Sequence, residues 1–145
     1  MTYKKFKTYS RKVLPSIPES FLTSNFDLET LAASLNIKNF KVYVSPLIDE
    51  ILQENQNVIV NISKFDGIGH WCSVAFLNKQ RTYFDSFKCL PPVSIRNFIS
   101  GRYYGSHANV QEVNSSECGM FALYISYLLD RGLSLNDALY HLDSV

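Results

Sequence analysis

The 145-residue chain, with 46% hydrophobic, 19% charged and 14% aromatic residues, has the length and composition of one globular domain, too short for two comfortable cores and without the polar bias of disorder. Its formal net charge is +1, yet Lys4, Lys5, Lys7, Arg11 and Lys12 all precede the first acidic residue. With those five set aside, nine of the 14 basic side chains remain against 13 acidic ones, so the body of the chain is acidic.

Residues 1–20 read as a basic, loosely held arm ahead of a single domain over 1–145. Tyr3, Phe6 and Tyr9 alternate with the lysines, a composition able to make weak contact with nucleic acid by stacking and neutralisation. The acidic body argues against DNA as a required activator. The arm has no apolar signal-peptide core, and no stretch reaches the roughly 18 apolar residues of a membrane span. An intracellular protein that is not secreted and not membrane-bound is expected.

Asn25 and Asp27 can cap a short helix with Leu28, Leu31, Ala32 and Leu35 on one face. Three apolar and β-branched runs follow, over 40–44, 57–62 and 70–77. The last turns at Asn78-Lys79-Gln80 into 81–84, which predicts a hairpin. Pro91-Pro92 can open a helix carrying Val93, Ile95, Phe98 and Ile99, and 107–113 is expected to return as a strand. From Ser115 the chain is apolar nearly all round to Leu129, the pattern of a buried central helix, and Gly132 stops it. A final helix, capped by Ser134 or Asn136, carries Leu135, Ala138, Leu139 and Leu142. The class is α+β, a small mixed or antiparallel sheet packed around a buried central helix.

Cys72, Cys89 and Cys118 are an odd number without CxxC spacing, which disfavours a disulfide framework and a zinc knuckle. No metal site is expected, and no cofactor is required by the residues. Cys118 stands apart because Ser115 or Ser116 can cap the helix that it opens. Unpaired amides and the macrodipole favour a thiolate there. Glu117 beside it works modestly the other way, and Gly119 leaves room for an acyl group to reach the sulfur.

A reactive thiol needs a base, and His70, His107 and His141 are the candidates. His70 is preferred, because it starts a strand whose hairpin partner ends at Asp85, so a carboxylate can orient its imidazole. Gln111 can aim its side-chain NH2 at the oxygen that becomes negative during attack, completing an oxyanion hole with the Cys118 amide. Taken singly these residues have ordinary structural readings, with Asp85 a turn residue bonding its own backbone and Trp71 a core residue. Their linear order carries the chemistry.

That order, His, acid, Gln, Cys, with "GHW", "YFDSF" and "VQEVNSSECG" before an apolar run, resembles the adenovirus-protease and SUMO-protease clan of cysteine endopeptidases over roughly residues 57–131. The Gln-to-Cys interval is more similar to the adenovirus type. The resemblance implies a papain-like site arrangement, with Cys118 as nucleophile, His70 as base and acid, Asp85 as orienting acid and Gln111 in the oxyanion hole. It also implies that Trp71 and Gly119 flank a narrow substrate groove that takes glycine-containing sites. The expected role is maturation of capsid or other virion precursors, in an infected host cell or inside the virion, with an activating peptide or DNA left open. A SUMO- or ubiquitin-like deconjugating protease and an acyltransferase built on the same site are the alternatives.

Overall fold

The computed structural model describes residues 1–15, 24–62, 70–87, 89–105 and 117–143, which form five helices and a five-stranded mixed sheet in an α+β arrangement. The first 15 residues are not a loose arm. Thr2 caps helix α1 (Tyr3–Val13) by accepting the Lys5 N–H at 3.1 Å, and Tyr3, Phe6 and Ser10 recur on one buried face at helical spacing. The alternation that reads as an interaction tail is that of an amphipathic helix: Tyr3 and Phe6 lie in the core, while Lys4, Lys5, Arg11 and Lys12 are exposed.

Helix α2 (Asn25–Ser34) begins one residue earlier than the sequence suggests. Ser24 is its cap, and it exchanges hydrogen bonds with Asp27 in a capping box. The sheet follows as β1 (Phe40–Tyr43), β2 (Gln56–Asn61), β3 (Trp71–Leu77), β4 (Gln80–Phe84) and β5 (Tyr104–Gly105), lying side by side in that order. β2, β3 and β4 are antiparallel, whereas β1 and β5 run parallel to their neighbours. Asn78 and Lys79 both have positive φ (51° and 61°), the turn geometry that matches the twist of the β3–β4 hairpin. The strand expected over 107–113 lies outside the described residues, and the short β5 just before it has no clear sequence signal.

The sheet is covered on both faces, which explains why β2 and β3 read as nearly continuous apolar runs. One face meets α3 (Val93–Ile99) through Ile95, Phe98 and Ile99, with Val58, Val60, Cys72, Val74 and Tyr83. The other face carries α4 (Cys118–Asp130), of which 11 of 13 residues are buried. α4 is apolar all round because β2 and β3 cover one side, and α1, α2 and α5 (Leu135–Asp143) cover the rest. The sheet supports this helix on one side only; the helices complete the enclosure.

Polar groups fix α4 on the sheet. Asn57 of β2 donates its side-chain amide to the Ser126 carbonyl at 2.9 Å, and the Ser73 and Ser126 hydroxyls meet at 3.1 Å. At the far end, Leu133 N–H bonds the Leu128 carbonyl and Gly132 N–H the Leu129 carbonyl, a Schellman stop with Gly132 at φ +99°. Ser134 then caps α5 by accepting the Asp137 N–H. Among the described residues, no helix is long and apolar enough to cross a membrane.

Candidate active site

The antiparallel register sets Ser73 opposite Phe84, so the start of β3 and the end of β4 reach the same edge of the sheet. His70 immediately precedes β3, and Asp85 immediately follows β4. The pairing inferred from the sequence is made: His70 Nε2 lies 2.8 Å from Asp85 Oδ1. Asp85 is fully buried, and the His70 side chain retains 20% exposure. Because Nε2 engages the carboxylate, Nδ1 is the ring nitrogen left for proton exchange with a thiol.

Cys118 opens α4, with its first-turn position as expected, although the cap residue is Glu117 and makes no side-chain cap bond. Ser115 and Ser116 lie outside the described residues. The Cys118 sulfur accepts the Trp71 backbone N–H at 3.5 Å, which places the thiol beside the residue that follows His70. Burial alone would lower the His70 pKa, but hydrogen bonds to Asp85, Cys118 and Cys72 outweigh it and hold the imidazole well above 6.5. His70 therefore pairs with its acid, and the residue after it bonds the candidate nucleophile.

Asp85 makes both of the contacts open to it. Its Oδ1 also accepts the Phe87 N–H at 2.8 Å, a side-chain turn two residues long that orients the carboxylate before His70 is considered. The Phe87 ring packs on the imidazole with centroids 5.0 Å apart. Phe87 escaped the sequence reading, although its place two residues after Asp85 is the spacing at which such a turn bonds backbone.

Trp71 and Gly119 sit next to the site, both buried, with Trp71 5% exposed in the same core as Cys118. Gln111 and His107 lie outside the described residues. His141 is exposed on α5. Cys89 is exposed, whereas Cys72 is buried on the α3 face, opposite the core that holds Cys118. Burial pushes the Cys72 thiol up to about 11, ahead of the lowering effect of His70. One donor atom each from His70, Cys72 and Asp85 falls within 4.8 Å of the others, with His70 and Asp85 already bonded.

The residue before Cys118 is anchored by α1. Tyr3 Oη donates to Glu117 Oε2 at 3.2 Å, and Lys7 Nζ lies 3.5 Å from Glu117 Oε1. Lys7 also sits over the Tyr3 ring, 4.8 Å from its centroid. Burial first, then the charge and hydrogen bond of Glu117, raise the Tyr3 pKa, so the phenol stays a donor. Compared with known proteins, the chain matches no family model and no curated sequence.

Proposed function

We propose that the chain is a cysteine endopeptidase with a papain-like site, in which Cys118 is the nucleophile, His70 the base and acid, and Asp85 the orienting carboxylate. The observation that carries this reading is a buried carboxylate 2.8 Å from the His70 imidazole, with the next residue's backbone N–H 3.5 Å from the Cys118 sulfur at the mouth of α4. A histidine with a raised pKa is an imidazolium at neutral pH, which favours the thiolate beside it and can later protonate a leaving amine.

In the reaction, the Cys118 sulfur attacks the scissile carbonyl and its oxygen gains negative charge. The Cys118 backbone N–H and, on this reading, the Gln111 side chain stabilise that oxygen. The C–N bond breaks as His70 gives its proton to the amine, leaving a thioester on Cys118. A water then gives a proton to His70 and attacks the thioester, which releases the acid and the sulfur. Asp85 holds the ring orientation through both halves.

The substrate class rests on the linear motif order, whose resemblance implies cleavage at glycine-containing sites in virion structural precursors. A fluorogenic peptide series with glycine or larger residues before the cut tests it, together with a peptidyl vinyl sulfone bearing Gly-Gly. Cleavage preferring glycine, a covalent adduct on Cys118 found by mass spectrometry, and loss of both in a folded Cys118→Ala variant are expected. Cleavage retained by Cys118→Ala would end the proposal.

A further inference from the structure

We propose that Tyr3 and Lys7 of α1 are positioning residues for the nucleophile, holding the Glu117 carboxylate away from the mouth of α4 and offsetting its charge. The inference rests on Cys118 being the nucleophile and adds α1 to the machinery around it.

A carboxylate at a helix N-terminus is drawn to the first backbone N–H groups by the macrodipole, and one within reach can accept from them. Glu117 occupies that cap position yet makes no such bond. Its two oxygens are instead directed at α1, one toward the Tyr3 hydroxyl at 3.2 Å and the other toward Lys7 at 3.5 Å. The same first-turn amides are the ones an attacking sulfur and a developing oxyanion require. A carboxylate folded onto them would compete with both and would place a negative charge against the thiolate.

The contact is built rather than incidental. Tyr3 is 1% exposed, and its ring stacks on Phe121 of α4 with centroids 4.6 Å apart, so the hydroxyl is delivered to Glu117 by a rigid element. The Tyr124 hydroxyl donates to the Met1 carbonyl at 2.6 Å, tying the start of α1 to the same helix. The titratable and charged groups near the thiol in the described residues include Glu117 on its own segment, His70, Asp85 and the Cys72 thiol at the sheet edge, and Tyr3 and Lys7 on α1. Lys7 is the lysine of this set, and its side chain is 30% exposed, so its influence is partly screened by solvent.

The test is the alkylation rate of Cys118 by iodoacetamide against pH, read by peptide mass spectrometry on the full chain. Lys7→Met keeps the aliphatic stem and removes the charge; it should move the midpoint of the profile upward by about half a pH unit, the scale of a partly exposed ion pair. Lys7→Arg should restore the wild-type profile, and Tyr3→Phe, which keeps the ring, should shift it in the same direction as Lys7→Met. The decisive variant is Lys7→Met combined with Glu117→Gln, which removes the charge that Lys7 offsets and should bring the profile back. Simple undocking of α1 would not be reversed that way, so a failure of the double variant to recover overturns the inference. So does a Lys7→Met profile that superimposes on wild type while His70→Ala still slows Cys118. If His70→Ala has no effect in the wild-type background, the nucleophile assignment itself falls, and this inference falls with it.

Discussion

Phe87 and His70 converge on one oxygen: the Phe87 backbone N–H and the His70 Nε2 both lie 2.8 Å from Asp85 Oδ1. The carboxylate is thus oriented by its own chain, and the imidazole is oriented by the carboxylate. Asp85→Asn keeps an oxygen that can accept from Phe87 while removing the charge that supports an imidazolium. Its unfolding free energy should stay within about 1–2 kcal/mol of wild type, since an acceptor remains for the buried donor. Its cleavage rate should fall on the order of 100-fold or more, and the His70 resonance should titrate closer to 6.5 by NMR. An unchanged His70 titration would show that Asp85 does not set the charge of the ring.

The same pair makes stability depend on pH. The folded His70 pKa is raised above its ordinary 6.5, so the folded state holds its proton more tightly than the unfolded chain. That stabilisation is fully present below about pH 6.5 and is lost as pH rises through the folded value. Urea unfolding across pH 5 to 9 should therefore show a decline beginning near 6.5, and His70→Gln should flatten it. A wild-type curve that rises over this window would contradict the sign.

The three cysteines should separate by environment when the native protein is alkylated. Cys89 is exposed and should be modified in the folded chain, whereas Cys72 is fully buried with its thiol pushed up to about 11. Cys72 should remain unmodified until the protein is unfolded. Modification of Cys72 at the rate of Cys89 in the folded chain would show that the α3 face opens readily.

Phe6 tests whether α1 belongs to the fold. It is fully buried, with its ring near those of Tyr3, Tyr124 and Tyr127 at centroid distances of 6.4, 5.2 and 6.2 Å. Phe6→Ala should cost about 3–5 kcal/mol in chemical denaturation, the usual range for emptying an aromatic core position. A loss under about 0.5 kcal/mol is what a solvated tail would give.

Much of this architecture is legible in the residues, for identifiable reasons. The hairpin is legible because Asn78-Lys79 interrupts two β-branched runs, and α4 because its residues are apolar on every side. The His70–Asp85 contact follows from strand register alone. The partnership of Tyr3 and Lys7 with Glu117 is not legible, since it joins positions 114 and 110 apart through tertiary packing. A local signal was nevertheless present in Tyr3, Phe6 and Ser10 at helical spacing, masked by the abundance of lysine. The two-residue β5 lacks the length that makes a strand visible in sequence.

That long separation also orders events during synthesis. The α1 segment leaves the ribosome well before α4, on which its apolar face carrying Tyr3 and Phe6 packs. Its docking must await residues 117–130, and contacts so distant along the chain form late and slowly. A nascent chain thus holds His70 and Asp85 before Cys118 is made, and Glu117 meets Tyr3 and Lys7 only once α4 is there for α1 to dock on.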